Sequence, residues 1–502
     1  MTTASSIGPD FTRPPGPIDR LVSWLFTGIP GPGVVALCGL ASFLALLNLH
    51  SLFNDGDTFW HLATGEWILR HGAVPTTDPF SYTYAGGPWQ AHEWLAQVAM
   101  VLAYRAGSWS GLAVLFAAAF GATAALLAAY LKTWLRVGPL LVAVLFALAC
   151  GAPSLLARPH LLAQPLLVIW VFGLLAARRR GLSPPWTLLP LMLVWSNLHG
   201  SFVLGLALIG PFALEALVAG RERPWPVIRT WGAFGVAALG LSLINPQGLH
   251  GLTYPFKVSG MTSLPIIMEW RSADFSKLSL FEIGLLEALF ICLWRGVKVP
   301  AIRLLVLLGL LHLAFQHVRH QATFALLAVM LLAEPLARAR PASEPSSPAL
   351  RPATGQTRAV FAAALAVALL AAGWLRLAVP MTRADGVNAP MSALAAVPAE
   401  VVRMPVFNEY GFGGYLIFKG VRPYIDGRGD MYGDQIMHTY GAMVRPDLAT
   451  LKSELATRHI AWTILARDNP AVGALDSLPG WRRLYADRIA VVHVRQDATN
   501  SE

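Results

Sequence analysis

Phe53-Asn54-Asp55-Gly56-Asp57-Thr58-Phe59-Trp60-His61 follows directly on an apolar run, Val35 to Leu49, that is long enough to enter a bilayer. Two carboxylates and an imidazole at the mouth of such a helix are costly unless they meet a ligand, a cation or water. The stretch therefore reads as chemistry at a membrane surface.

Composition agrees. With 55% hydrophobic and 13% charged residues over 502 positions, and a mean hydropathy of +0.53, a water-soluble globule is excluded and a polytopic α-helical membrane protein is expected. The net charge of +10 does not mark a nucleic-acid surface. Lys and Arg gather in short segments between apolar runs: Lys132 to Arg136, Arg178 to Arg180, Arg221 to Arg229, Arg295 to Lys298 and Arg338 to Arg358. That is the pattern of inner-face loops, so no nucleic acid is expected as a partner. Cys38, Cys150 and Cys292 each lie within an expected span, too far apart in sequence for a metal knuckle or a disulfide framework. The stretch Met1 to Asp19 is polar and Pro-rich, with no convincing cleavage site before the first span, and is expected to be retained.

Apolar runs predict about eleven transmembrane helices, near 33–51, 109–130, 137–151, 160–177, 186–198, 200–219, 229–245, 278–294, 300–315, 321–336 and 358–376. Placing the basic loops inside puts the N-terminus in the cytoplasm and the C-terminus outside. The expected organisation is then a cytoplasmic N-terminal segment (1–32), a transmembrane domain (33–378) and a small extracytoplasmic α/β domain (379–502). Within the second lie a first outer loop (52–108) and a cytoplasmic Pro/Ser/Ala-rich linker (339–357). In the outer loop, Phe59 to Arg70 and Glu93 to Tyr104 have helical periodicity and can lie along the interface, with Pro-, Thr- and Gly-rich coil between them. In the C-terminal part, Tyr415 to Phe418, Ile460 to Leu465 and Ile489 to Val494 read as short strands, and Trp481, Tyr485 and Asp487 as the turn before the last.

Every polar cluster of interest falls on the outer side by this count. Asp55 and Asp57 can converge on one cation or one sugar hydroxyl in a turn around Gly56, or Asp55 or Asn54 can simply cap an interfacial helix. Asp57 and His61 are four apart and face the same way if a helix begins near Asp57, which would then serve as its cap. His92 and Glu93 open the second interfacial helix, Glu93 either as a first-turn residue on the helix dipole or as a second acid facing Asp57. Asp78 reads as a turn residue. Arg158-Pro159-His160 and Asn197-Leu198-His199-Gly200 occupy outer turns, as phosphate contacts or as helix-end packing. Asn245 begins a long outer loop that ends at Glu269-Trp270, a carboxylate and an indole that suit a sugar, although an interfacial aromatic belt accounts for Trp270 equally. Arg319 runs against the inner-face bias of the other basic residues and is the leading phosphate contact, with a lipid-headgroup anchor as the alternative. In the C-terminal part, glycines around Phe407 to Gly414 and Arg422 to Asp430 allow close backbone approach, and either Asp426 braces Arg428 or the segment docks to help close over the acceptor or donor.

The arrangement resembles the GT-C superfamily of polytopic glycosyltransferases, which includes the protein O-mannosyltransferases, the aminoarabinose transferase of lipid A and oligosaccharyltransferase catalytic subunits. The resemblance rests on Asp57 with Trp60-His61, on Gly72-Ala73-Val74-Pro75 through Asp78-Pro79-Phe80-Ser81, and on Trp89 through His92-Glu93-Trp94-Leu95. It is also similar to an uncharacterised bacterial branch in which Asn197 to Gly200, Asn245 to Gly248, and Phe407 to Gly411 with Asp426-Gly427-Arg428 recur. The resemblance implies a GT-C-like fold and a glycosyltransferase of the bacterial inner membrane that draws a sugar from a polyprenyl-phosphate donor. It implies Asp57 as the catalytic acidic residue and Glu93 completing the site; in an enzyme of this kind His61 would tune Asp57 or replace it as base. Substrate-binding candidates are Asp55, His92, Arg158, His160, Asn197, His199, Asn245, Glu269, Trp270 and Arg319. Asp55 and Asp57 resemble the Asp-x-Asp of metal-using members, so a divalent cation (Mg or Mn) stays open. The acceptor is a lipid, glycan or protein. The competing classes are a transporter or flippase for a lipid or anionic solute, and a non-catalytic scaffold for envelope assembly.

Overall fold

The computed structural model describes residues 31–220, 224–339, 354–445 and 447–499. Residues 1–30 of the expected N-terminal segment and 340–353 of the expected linker lie outside the described residues. Thirteen helices come first: α1 (Gly31–Leu47), α2 (Asp57–His71), α3 (Trp94–Leu131), α4 (Val137–Cys150), α5 (Pro159–Arg180), α6 (Leu189–Leu198), α7 (Phe202–Ala219), α8 (Pro224–Ser242), α9 (Leu249–Ser259), α10 (Leu280–Trp294), α11 (Ala301–Gln316), α12 (Gln321–Arg338) and α13 (Gly355–Ala378). Each of the eleven expected spans contains one of them. Five helical stretches among the described residues are long and apolar enough to cross a membrane: α3, α5, α7, Val318–Arg338 around α12, and α13. The expected count of eleven is not reached on this measure: α1, α4, α11 and the stretch Trp186–Leu198 are apolar but short, and α8 and α10 do not qualify either. At about 1.5 Å per residue, a helix of some fifteen residues falls short of a hydrocarbon layer of roughly 30 Å. Five such helices already make a multi-pass membrane protein.

Two glycines explain how closely α1 and α3 cross. A Cβ on Gly39 would sit 3.2 Å from the Gly121 carbonyl oxygen, and one on Gly121 would sit 2.8 Å from that of Gly39. Small residues facing each other let two backbones approach where lipid offers no hydrophobic drive. Helix α3 is broken at Gly107 (φ −159°, ψ 24°) and Ser108 (φ 52°). The break separates an N-terminal arm that packs along α2 from the apolar remainder, as the expected interfacial helix and second span require.

The helices that contribute to the site below by one end meet in a buried ion cluster at the other. Arg303, at the start of α11 and 1% exposed, donates from Nε to Glu215 near the end of α7 at 3.1 Å and from Nη1 to Glu334 near the end of α12 at 2.9 Å. Arg178, near the end of α5, reaches Glu215 at 2.8 Å. Charges this deep persist because each is paired.

Residues 379–499 add α14 (Met391–Ala395), α15 (Ala399–Val402), β1 (Val406–Asn408), α16 (Gly413–Phe418), α17 (Gly429–Val444), α18 (Leu448–Thr457), β2 (Trp462–Ala466), α19 (Ala471–Asp476), β3 (Trp481–Ala486) and β4 (Ala490–Arg495). The sheet order is β1-β2-β4-β3, with β1 parallel to β2 and the other pairs antiparallel. Two sequence expectations are corrected. Tyr415 to Phe418 lies in helix α16, not in a strand: its short apolar run carries no period that separates the two, and the helix lets Tyr415 meet Phe59 edge-on at 5.2 Å. Trp481 to Ala486 is an edge strand, not a turn, because it pairs with Val491 to Arg495. The core of this part is shared with the first loop: Trp60, Trp89 and Ala91 pack in one cluster with Phe407, Tyr424, Ile425 and Leu465.

Candidate active site

Asp55-Gly56-Asp57 turns the chain from the 3-10 segment His50–Phe53 into α2. Gly56, not Asp57, holds the cap position of α2. The capping acceptor is Asp55, whose Oδ1 accepts from the Asp57 N–H at 3.3 Å, and this frees the Asp57 carboxylate to face Arg158. The backbone of the turn is pressed against the C-terminal part. A Cβ on Gly56 would overlap the Gly411 carbonyl oxygen, and one on Gly414 would overlap that of Gly56.

Arg158, at the cap of α5, is the hub. Its Nε and Nη2 hold the two oxygens of Asp55, each at 2.7 Å. Its Nη1 lies 3.0 Å from Asp57 Oδ2 and donates to Glu269 Oε2. Glu269 in turn accepts from Arg319 Nη1 at 3.2 Å, and the Arg319 guanidinium lies 4.4 Å over the Trp270 ring. Three carboxylates thus share two arginines, and the surplus negative charge must be relieved somewhere. Burial, reinforced by Asp55 and Glu269, outweighs Arg158 and pushes Asp57 up to about 8. Glu269 goes the other way: burial opposes its charge, but Arg158 and Arg319 together bring it down to about 2. Environments that drive neighbouring carboxylates apart mark acid-base sites.

A second basin surrounds Glu93. His199 Nε2 lies 3.5 Å from Glu93 Oε1, His92 Nε2 3.9 Å from Oε1 and His61 Nε2 3.9 Å from Oε2. Burial lowers all three imidazoles, so they stand neutral beside the carboxylate. Burial raises Glu93 to about 7, against the pull of Arg319 and Arg158. The backbone N–H of Ser201 donates to His199 Nδ1 at 3.1 Å, which puts the His199 proton on Nε2, aimed at Glu93. The Gln97 amide stands 3.3 Å from His61 Nδ1 and orients that ring.

The remaining expected residues divide. His160 donates from Nε2 to the Ser154 carbonyl at 2.7 Å and its ring lies 6.4 Å from that of His199, at the rim of the same basin. Asn197 and Asn245 are held out of it. Asn197 accepts from Trp94 Nε1 at 2.8 Å and donates to the carbonyls of Leu193 and Ile244, while Asn245 closes its own turn through Ser242 and Gln247. Their geometry is the helix-end packing alternative. Asp55 and Asp57, the expected cation pair, spend their oxygens on a guanidinium. Among the described residues no group of three or more His, Cys, Asp or Glu side chains is arranged to hold a metal ion.

Docking over donor or acceptor is one of the two readings of the C-terminal glycine-rich segments, but which residues they meet is not legible in the sequence. A Cβ on Gly427 would overlap Asp57 Oδ1 and come within 2.9 Å of Trp60 Nε1, so the Asp426–Arg428 loop is the wall against which Asp57 rests. Asp430, opening α17, accepts from the Tyr254 hydroxyl, and the Tyr254 ring lies 4.4 Å from His92. Burial raises Asp430 to about 6, against the pull of His92. The available signal was the glycine spacing Asp426-Gly427-Arg428-Gly429-Asp430, legible as close approach but not as to what. Gly427→Ala is expected to leave the helices intact and lower turnover about 100-fold, because a carboxylate displaced by about 1 Å loses its alignment; circular dichroism beside a turnover assay checks it.

No protein-family model matches the chain, and no curated protein does. Solved structures to which the chain is similar include these two. One is ArnT from Cupriavidus metallidurans bound to undecaprenyl phosphate, 14% identical over 96% of this chain and 99% of that one, with a TM-score of 0.49. The other is the Archaeoglobus fulgidus oligosaccharyltransferase in the apo form, 11% identical over 88% of this chain and 70% of that one, with a TM-score of 0.53. Both are GT-C glycosyltransferases, and by its likeness to the oligosaccharyltransferase the chain has the GT-C fold.

Proposed function

We propose that the protein is a glycosyltransferase that moves a sugar from a polyprenyl-phosphate-linked donor to an acceptor hydroxyl at the outer face of the cytoplasmic membrane. The observation that carries this is the Asp57 carboxylate, seated between Arg158 and Gly427 and raised to about 8 by burial, at the mouth of a GT-C helical fold. A base poised near neutral pH is what deprotonation of a hydroxyl needs.

In the reaction, Asp57 accepts the proton of the acceptor hydroxyl while that oxygen attacks the anomeric carbon. The bond from that carbon to the phosphate oxygen breaks, and polyprenyl phosphate leaves with the electron pair. Arg319 is the group for the leaving phosphate. Its one carboxylate partner among the described residues is Glu269, and its side chain is 31% exposed, whereas the Arg158 fork is taken up by Asp55, Asp57 and Glu269. Fixed positive charge beside a leaving oxygen stabilises the charge that develops there. Glu93, with its neutral imidazoles, stands within the field of the same two arginines.

Arg158 holds the Asp55–Asp57 pair in the way a cation does in metal-using relatives, so the reaction is read as metal-free. The test is release of polyprenyl phosphate from polyprenyl-phospho-sugars by purified protein in lipid nanodiscs. Turnover is expected, and a chelator is expected to leave it unchanged within twofold. Carrier binding without release would instead favour a transporter, and loss of release on chelation would overturn the role given to Arg158.

A further inference from the structure

Tyr410 stands at the turn Tyr410–Phe412 that follows β1. Its ring packs on Tyr440 at 6.3 Å, and its backbone N–H donates to the Tyr440 hydroxyl at 2.8 Å. Two contacts therefore fix where the phenol points. Its own hydroxyl is buried and has no hydrogen-bond partner among the described residues. Buried polar groups are nearly always paired, and leaving one unpaired is destabilising, so each exception asks for an explanation.

The surroundings supply one. A Cβ on Gly429 would come within 3.1 Å of the Tyr410 oxygen, which puts the hydroxyl beside the same loop whose Gly427 seats Asp57. Burial, then the charges of Asp57, Asp426 and Glu269, hold the phenol in its protonated form. The site thus offers several acceptors and, among the described residues, two idle donors, the Tyr410 hydroxyl and Trp60 Nε1. An anion is repelled by those carboxylates. A polyhydroxyl ligand suits the arrangement, because each of its hydroxyls can donate to a carboxylate and accept from a phenol.

We infer that the Tyr410 hydroxyl donates to a hydroxyl of the donor sugar beside Asp57, so that the C-terminal part contributes a sugar-binding group to a site built by the helices. The inference rests on the glycosyltransferase reading. Nothing in the sequence spacing around Phe407 to Gly414 marks the Tyr410 hydroxyl.

Tyr410→Phe removes the hydroxyl and keeps the ring on Tyr440. Binding to nanodisc-embedded wild type and variant is measured with undecaprenyl phosphate alone and with the same carrier bearing a hexose, a pentose or an amino sugar. The sugar-bearing carrier that wild type prefers is expected to bind the variant roughly 5- to 10-fold more weakly, the loss of one neutral hydrogen bond, while bare carrier binds both equally. The thermal midpoint is expected to stay level or rise, since an orphaned polar group has been removed. Equal binding of the sugar-bearing carrier, equal weakening of both carriers, or a lowered midpoint would each overturn the assignment while leaving the glycosyltransferase reading intact. Wild type that does not distinguish sugar-bearing from bare carrier would take down both.

Discussion

Asp57→Asn is expected to lower release of polyprenyl phosphate by a factor of about 10²–10⁴, the usual range for removing a general base, with carrier binding unchanged. The amide fills the same volume between Arg158 and Gly427, so the fold has no reason to change. It cannot take a proton, so attack by the acceptor hydroxyl loses its driving step. The pH profile gives the same test a second readout. Asp57 is raised to about 8, so the ionised base is scarce at pH 6 and abundant at pH 9. In wild type kcat/KM is therefore expected to rise with pH and level off above about 8, and in Asp57→Asn that limb is expected to vanish. A limb that persists near 7 in the variant would move the base to Glu93, which burial raises to about 7.

Much of the fold was legible because helices in apolar surroundings announce themselves locally. Residues 109–130, 160–177 and 200–219 are continuous apolar runs, and each lies in a helix long enough to span. The turn Asp55-Gly56-Asp57 was legible for the opposite reason, since carboxylates stand out beside an apolar run. Span count was less so: α1 and α11 are largely apolar but stop at 17 and 16 residues, a length that hydropathy does not measure. Strand and helix were confused at Tyr415 to Phe418, where four apolar residues fit either period.

Least legible were contacts across the chain. Arg158 was a phosphate candidate on its own merits, but that it would be saturated by Asp55, Asp57 and Glu269 follows from the packing of α5 against two loops about a hundred residues away on either side. Asp78 shows the limit. Its Oδ1 accepts from the Phe80 N–H at 3.0 Å and its Oδ2 from the Ser81 N–H at 3.1 Å, as a turn residue should. It also holds an arginine 350 residues away, for which no local pattern exists.

That arginine, Arg428, carries the largest expected effect on stability. It is 1% exposed, grips Asp426 through Nε at 2.8 Å and Nη2 at 2.7 Å, and reaches Asp78 with Nη1 at 2.7 Å. Its guanidinium lies 4.7 Å from the Trp89 ring and 5.3 Å from that of Phe80, and the Tyr432 hydroxyl donates to the same Asp426 at 2.5 Å. Asp78, Phe80 and Trp89 belong to the first loop, the others to the C-terminal part, so one side chain ties together the two pieces that enclose Asp57. Arg428→Ala leaves two buried carboxylates facing each other without a cation, which costs about 3–5 kcal/mol where a buried pair is broken from one side. The expected result is a C-terminal part that comes off the first loop: a markedly lower thermal midpoint in nanodiscs, new proteolytic cleavage between residues 379 and 430, and little turnover because Gly427 no longer backs Asp57. Arg428→Ala combined with Asp78→Asn and Asp426→Asn separates the causes. If the unpaired charges are what destabilise, the triple variant recovers much of the midpoint. Its turnover stays low, since neutral partners restore the burial but not the grip that sets the Gly427 loop against the base.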